Sequence, residues 1–230
     1  KLMDGVQKSI SIAPGAEISI EVNPNSLTQK KAREYRTAGI NRLSIGLQAV
    51  QDSLLKSIGR LHTYGDFLLA IEAALAAGFS NINVDLMYSL PHQTVEQVAQ
   101  SAQALCALPI THISAYALKL ERGVPMYGAE QPDEQTDRAM FYTLRDILAE
   151  KGFARYEISN FAKPGYECRH NLKYWRVEEY IGLGVAAHSF YQGMRFSDDE
   201  SIGRYLAALR RGKRAEISRM KADLPFERIM

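Results

Sequence analysis

Short runs that alternate hydrophobic and polar residues recur along the first half of the chain. In the first run, Ile18, Ile20 and Val22 alternate with Ser19 and Glu21. Successive side chains of a β-strand point to opposite faces, so this run predicts a strand with one apolar and one polar face. The pattern recurs three times, and the four predicted strands cover residues 18–22, 42–47, 81–86 and 112–117.

Helical segments separate the predicted strands. They cover residues 29–38, 52–58, 66–77 and 95–107, and the opening ten residues resemble the end of a further helix. Strands that alternate with helices are typical of βαβ units, whose strands form a parallel sheet.

Beyond residue 122 the alternation stops. The elements predicted there are a helix over 133–151, strands over 156–161 and 180–191 with a loop between them that holds His170 and Trp175, and a helix over 199–211 followed by a polar tail. No internal repeat or low-complexity segment interrupts this order.

The predicted fold class is α/β, with an incomplete barrel followed by an α+β extension. We place the incomplete barrel in residues 1–122. Residues 123–230 are predicted to complete the barrel and to form the extension.

The polar faces of the four strands are unexpected for a parallel sheet, which is normally covered on both faces and apolar on both. Unpaired polar groups are costly to bury, so the polar faces are expected to surround something polar. Ligand sites of such sheets lie at the carboxyl ends of the strands, where this sequence has Glu21, Gln48 and Asp85, with Arg60 in the loop after the second strand. Any one of them alone is more typical of a helix cap or a turn.

The composition is that of an ordinary globular chain. Hydrophobic residues make up 46% and charged residues 23% of the sequence, and the net charge of +2 gives no reason to expect nucleic acid or an anionic membrane as the main partner. No apolar run has the length of a membrane span and no signal peptide is evident, so we expect a cytoplasmic protein. The two cysteines, Cys106 and Cys168, are too few and too far apart for a disulfide scaffold or a thiolate metal motif.

Six segments together resemble the HemN/HemW group of radical SAM proteins, the oxygen-independent coproporphyrinogen oxidase-like proteins. They are EVNP from Glu21, NRLSIGLQ from Asn41, IGRLH from Ile58, NVDLMYSLPHQT from Asn83, YEISNFAKPGYECRHNLKYW from Tyr156 and GLGVAAHS from Gly182. The resemblance covers most of the chain and departs from the family at Ser89, where glycine is usual.

The resemblance implies a radical SAM partial (β/α)6 barrel that binds S-adenosylmethionine (SAM) beside a [4Fe-4S] cluster. By motif position, it assigns Glu21 to the methionine ammonium, Arg60 to the methionine carboxylate, and Gln48 and Asp85 to the ribose hydroxyls. The family's cluster-binding CxxxCxxC loop and GGGTP strand are expected before Lys1. Without them, we expect this fragment to be unable to cleave SAM.

One segment separates the branches of the group. His170, Asn171, Tyr174 and Trp175 match the HNxxYW signature of HemW-type heme chaperones, which implies that these residues bind heme and that heme-acceptor proteins are partners. Imidazole ligates heme iron, and aromatic rings can cover a porphyrin face.

Three alternatives stay open at this point. The first is that the aromatic residues of the signature are packing residues and that His170 is a hydrogen-bonded loop histidine. The second is that the intact protein is an oxygen-independent coproporphyrinogen III oxidase. The third is an unrelated barrel enzyme that binds a phosphate or sugar ligand at the same strand ends.

Overall fold

The computed structural model describes residues 1–120, 122–123 and 126–222. The chain forms two compact units, the first comprising Lys1–Glu167 and the second beginning at Cys168. The division predicted at residue 122, where the βα repeats end, remains a prediction.

A six-stranded sheet forms the centre of the first unit. Its strands are β1 (Ser19–Val22), β2 (Arg42–Gln48), β3 (Ile82–Tyr88), β4 (His112–Ala117), β5 (Ala154–Arg155) and β6 (Asn160–Ala162). Their spatial order is β1-β2-β3-β4-β6-β5. The first four strands are parallel neighbours, and β6 runs antiparallel to both β4 and β5.

Helices precede β1, connect the parallel strands and lead from β4 to β5. They are α1 (Leu2–Ser9), α2 (Gln29–Thr37), α3 (Asp52–Ser57), α4 (Tyr64–Ala76), α5 (Val95–Cys106) and α6 (Glu134–Glu150), with a 3-10 turn at Pro24–Ser26. Side-chain caps fix several of their starts: Thr63 and Thr94 begin α4 and α5 with reciprocal capping boxes, which satisfy backbone N–H groups that the helix itself leaves unpaired.

The hydrophobic core lies on one face of the sheet. Leu43, Ile45 and Leu47 of β2 are fully buried and belong to one cluster with Phe67 and Ile71 of α4. Removing this apolar surface from water is the main stabilising contribution to the unit. The opposite face of β2, β3 and β4 carries the polar residues. Ser44, Asn83, His112 and Ser114 are buried as well, whereas Asp85 is half-buried and Tyr116 is exposed.

The second unit contains a three-stranded antiparallel sheet. Its elements are α7 (Arg169–Trp175), β7 (His188–Tyr191), β8 (Met194–Asp198), α8 (Ile202–Arg210) and β9 (Glu216–Lys221). The strands are ordered β7-β8-β9. Tyr180 pairs with Phe190 through an isolated bridge rather than through a continuous strand.

The first four predicted strands and the helices between them are confirmed, and the later part was predicted less well. Residues 156–159 form a turn, so only the end of the predicted strand 156–161 is β-structure. The predicted strand 180–191 begins only at His188. The predicted loop around His170 contains α7, and the polar tail contains β9.

Ser89 adopts a φ of 57°, in the left-handed region. Glycine reaches this region without steric cost, which gives a physical reason for the glycine that the resemblance to the HemN/HemW group implies at this position. The Ser89 hydroxyl donates a hydrogen bond to the Asp137 carboxylate of α6.

Across the ranges that the structure describes, the helices are too short or too polar to cross a lipid bilayer.

Candidate functional site

Three of the predicted site residues lie on neighbouring strands. Glu21 of β1 is in register with Ser44 of β2, and Asp85 of β3 is in register with Gly46 of β2. Gln48 is the last residue of β2. The parallel strands therefore bring Glu21, Gln48 and Asp85 towards the same edge of the sheet.

Burial and charge determine the state of Asp85. Its pKa is raised chiefly because burial removes water from the carboxylate, and the negative charge of Glu21 raises it further. Hydrogen bonds from Asn83 and Ser44 act in the opposite direction. Glu21 and Asp85 lie on the two strands that flank β2.

Gln48 is held in an unusual conformation. Its φ is 77° and the residue is only 7% exposed. The side-chain amide folds back over Gly46. It lies so close that a Cβ atom added to Gly46 would be 3.0 Å from Gln48 Nε2. Among the described residues, the amide has no hydrogen-bond partner. The amide atoms are not among the buried polar atoms that lack a partner, so they reach solvent and are accessible to a ligand.

Arg60 lies in the loop between α3 and α4 and is half-buried. Its backbone N–H donates to the carbonyl of Leu55 over 2.9 Å, which continues the end of α3. Within the described ranges its guanidinium forms no salt bridge, so it is not paired with Glu21 or Asp85. Of the four predicted SAM-binding residues, Arg60 is the one that the strand register does not place.

A hydrogen-bond network continues below Asp85. Asn83 Nδ2 donates to Asp85 Oδ1 over 2.8 Å and to Ser44 Oγ over 2.6 Å. Ser44 Oγ in turn lies 3.3 Å from both oxygens of Asp85. The Asn83 carbonyl oxygen accepts from Ser114 Oγ over 3.0 Å.

His112 and Tyr156 complete the network. His112 Nδ1 lies 2.5 Å from Asn83 Oδ1, and its Nε2 lies 2.8 Å from the Tyr156 hydroxyl. Burial lowers the pKa of His112 to about 3, and the positive charge of Arg42 adds to this effect. The imidazole is therefore neutral near pH 7.

The sequence predicted the polar faces of β3 and β4 but not this network. Strand alternation places Asn83 and His112 on polar faces without saying which residues they bond. Tyr156 lies 44 positions from His112 in the sequence, on the antiparallel side of the sheet. No local pattern identified it as part of the site.

The cysteines do not form a metal site. Cys106 is half-buried and Cys168 is buried. In the described part of the chain, no three His, Cys, Asp or Glu residues are grouped as metal ligands would be. The residues present therefore do not fit a [4Fe-4S] cluster, which requires several thiolates.

The predicted heme-binding residues lie together on α7. His170 Nε2 lies 3.0 Å from the Tyr174 hydroxyl, and the two rings pack edge-to-face with their centroids 4.9 Å apart. Tyr174 also packs edge-to-face against Tyr180, with ring centroids 4.6 Å apart. Tyr174 and Trp175 are each 47% exposed, so neither is a core residue of the second unit. Asn171 lies on the same helix.

Similarity to known proteins is extensive. A model of the radical SAM superfamily matches residues 2–105. The chain is 33% identical to a heme chaperone HemW of Lactococcus lactis, over 93% of this chain and 58% of that protein. It is 37% identical to heme chaperone HemW of Escherichia coli, over 81% of this chain and 50% of that protein. The chain thus spans about half the length of the curated relatives that it matches.

A solved structure has the same fold. Coproporphyrinogen III oxidase (HemN) from E. coli, described as a radical SAM enzyme, superposes with a TM-score of 0.85 over 96% of this chain and 55% of that chain. The two sequences are 21% identical, so this likeness shows the fold alone. It confirms the predicted α/β partial barrel. Residues 2–105 thus match the radical SAM superfamily, and most of the chain is similar to proteins named heme chaperone HemW.

Proposed function

We propose that this chain provides the SAM-binding site and the heme-binding segment of a cytoplasmic heme chaperone. The superfamily implies SAM and a [4Fe-4S] cluster as cofactors. The observation that supports SAM binding most strongly is the set of polar groups at the ends of β1, β2 and β3. Within the described ranges, neither the Glu21 carboxylate nor the Gln48 amide has a hydrogen-bond partner.

Each of the four residues suits one part of SAM. The Glu21 carboxylate accepts hydrogen bonds from the methionine ammonium, and the planar Arg60 guanidinium binds the methionine carboxylate through two parallel bonds. The Gln48 amide and the Asp85 carboxylate bind the ribose hydroxyls, which both donate and accept. The positive ammonium of the methionine group thus pairs with the negative Glu21, and its negative carboxylate pairs with the positive Arg60.

The described residues bind and orient SAM, but they do not supply the cluster. When SAM is bound beside a reduced [4Fe-4S] cluster, it is the radical source of this superfamily. Since the residues present do not fit the cluster, no cleavage step is assigned to them. Their contribution is to hold the nucleoside and the methionine group in a fixed orientation.

The heme proposal rests on α7 and on the relatives named as heme chaperones. The His170 imidazole is a suitable ligand for heme iron, and the half-exposed rings of Tyr174 and Trp175 offer faces for a porphyrin. The Asn171 amide is suited to a heme propionate. Coordination through Nε2 requires the imidazole to leave the Tyr174 hydroxyl, so binding reorganises this pair. Heme-acceptor proteins are the proposed partners of the intact protein.

Calorimetric titration of this chain with SAM tests the first half of the proposal. Asp85→Ala is expected to weaken SAM binding at least about tenfold, because a hydrogen bond to a charged group contributes roughly 1.5–3 kcal/mol. The matched control is Asp146→Ala, an exposed aspartate of α6, which is expected to bind normally. Unchanged affinity in Asp85→Ala would contradict the proposal and favour another ligand at the strand ends.

Titration with heme tests the second half. Trp175 is the single tryptophan of the chain, so heme bound at α7 is expected to quench the protein's tryptophan fluorescence. His170→Ala is expected to weaken binding and to change the Soret absorbance, whereas the control His92→Ala, at an exposed histidine of the first unit, is not. Saturable binding without quenching, or with an unchanged spectrum in His170→Ala, would place heme elsewhere.

The oxidase alternative has no specific support in this structure, because the likeness to HemN shows the fold alone. Rapid conversion of coproporphyrinogen to protoporphyrinogen by the intact protein would overturn the chaperone proposal.

A further inference from the structure

A continuous row of hydrogen bonds crosses the polar face of the sheet from β3 to the antiparallel strands. It begins at Asp85, passes through Asn83 and His112, and ends at Tyr156. The residues come from β3, from β4 and from the segment between β5 and β6. The row therefore connects the candidate ligand site to a segment outside the parallel βα repeats.

The chemistry fixes the direction of every bond in the row. Asn83 Nδ2 donates to Asp85, so its carbonyl oxygen is the atom that faces His112. That oxygen only accepts, and His112 Nδ1 must therefore carry the proton. A neutral imidazole carries one proton, which leaves Nε2 as an acceptor for the Tyr156 hydroxyl.

Asn83 has no alternative orientation. Its amide donates to Ser44 and Asp85, and its carbonyl oxygen accepts from His112 and Ser114, so all four of its hydrogen-bonding positions are occupied. The residue is 2% exposed and His112 is 0% exposed. Turning the amide over would place its carbonyl oxygen against the Asp85 carboxylate, acceptor against acceptor, which is a large cost.

One oxygen of Asp85 is left for a ligand. The shortest hydrogen bond of Asp85 runs from Asn83 to Oδ1 over 2.8 Å, whereas Ser44 Oγ lies 3.3 Å from Oδ2. A carboxylate that is held on one oxygen presents the other in a fixed direction. Tyr156, through His112, holds Asn83, which in turn holds Asp85.

We propose that Tyr156, His112 and Asn83 are positioning residues that aim the free oxygen of Asp85 at a ribose hydroxyl of the bound nucleoside. None of the three touches the ligand; they act through Asp85. The inference rests on the proposed role of Asp85 in SAM binding. It adds that Tyr156, which lies outside the parallel βα repeats, affects the affinity of the chain for SAM.

The test compares two probes, SAM and an analogue that lacks both ribose hydroxyls, by calorimetry on the whole chain. Tyr156→Phe removes only the hydroxyl and is expected to weaken SAM binding about threefold, as loss of one modest hydrogen bond does. His112→Leu removes the donor to Asn83 and is expected to weaken it roughly tenfold. Both variants are expected to bind the analogue with the same affinity as the unaltered chain, because the analogue has no ribose hydroxyl that Asp85 could bind.

Two variants separate positioning from general stability. The amide of His112→Asn reaches about where Nδ1 lies and donates to Asn83 Oδ1, so it is expected to restore SAM affinity to within about twofold of the unaltered chain. Tyr142→Phe, at an exposed tyrosine of α6, is the matched control and is expected to change nothing. Equal loss of SAM and analogue binding in Tyr156→Phe would mean a structural defect and would overturn the inference.

The outcomes for Asp85 and for the row are distinguishable. If Asp85→Ala weakens SAM binding while Tyr156→Phe and His112→Leu do not, the positioning role is wrong and the proposed function stands. If Asp85→Ala has no effect, the proposed function itself fails, and the positioning role fails with it.

Discussion

At the scale of single residues, the absence of a side chain at Gly46 makes room for the Gln48 amide. A Cβ at position 46 would lie 3.0 Å from Gln48 Nε2, closer than carbon–nitrogen packing normally permits. The amide ends a flexible side chain, so it can move aside without unfolding the strand. Gly46 is therefore expected to matter more for binding than for stability.

Gly46→Ala is predicted to weaken SAM binding about threefold to tenfold, while the free energy of unfolding changes by less than about 1 kcal/mol. Calorimetry and urea denaturation measure the two quantities. The matched control is Gly65→Ala in α4, whose Cβ would meet Thr63 Oγ1 at an ordinary 3.5 Å. It is expected to stabilise the helix slightly and to leave binding unchanged. Unchanged SAM affinity in Gly46→Ala would show that Gln48 does not contact the ligand.

His112 gives a prediction about pH. Its pKa falls from the ordinary 6.5 to about 3 in the folded chain. Between these values the unfolded chain binds a proton that the folded chain does not, so His112 makes the free energy of unfolding decrease as pH falls from 6.5.

His112→Asn removes this titration while keeping a donor to Asn83. The difference in unfolding free energy between the variant and the unaltered chain is therefore predicted to shift in favour of the variant as pH falls from 7 to 4.5. Urea denaturation at the two pH values measures it. Parallel pH profiles would show that His112 titrates normally in the folded chain.

At the scale of elements, β2 contains a buried arginine that the site does not use. Arg42 is 4% exposed, and its Nε is buried without a hydrogen-bond partner among the residues described. Its charge also disfavours the protonated form of His112. A guanidinium nitrogen that is buried without a partner costs free energy that an apolar side chain of similar length would not.

Arg42→Met is predicted to raise the free energy of unfolding by about 1 kcal/mol or more. Urea denaturation checks it, with Arg33→Met on the exposed surface of α2 as the control that should change little. A loss of stability in Arg42→Met would mean that the guanidinium has a stabilising partner.

The elements that the sequence predicted well are those with strong periodicity. β1 to β4 each alternate apolar and polar residues, and α2, α4 and α5 begin at clear threonine caps. The later elements lack these signals. α7 has seven residues and none of them is buried, and β9 is exposed along five of its six residues, so neither has an apolar face that a pattern could reveal.

The candidate site was likewise predictable only where its residues lie at the ends of strongly periodic strands. Strand alternation and strand ends place Glu21, Gln48 and Asp85 on one edge, because the carboxyl ends of parallel strands meet there. Arg60 was assigned by resemblance, and its contact with a ligand remains a prediction. The bonds among Asn83, His112 and Tyr156 depend on tertiary contacts between distant residues, which no period along the chain encodes.

At the scale of the whole molecule, the proposed sites belong to different units. Glu21, Gln48, Arg60 and Asp85 lie in the first unit, and the α7 residues lie in the second. A chain that ends at Glu167 is predicted to bind SAM as the whole chain does and to show no saturable heme binding. Calorimetry with SAM and absorbance titration with heme measure both. Loss of SAM binding in a folded truncated chain would show that the second unit contributes to that site.

The central claim is that the polar strand ends of β1, β2 and β3 hold SAM. A crystal structure of this chain grown with SAM tests it most directly. The account predicts electron density for the ligand at these ends, with its ribose hydroxyls within hydrogen-bond distance of Asp85 and Gln48 and its ammonium beside Glu21. Well-defined ligand density elsewhere on the chain, with these side chains facing only solvent, would contradict it.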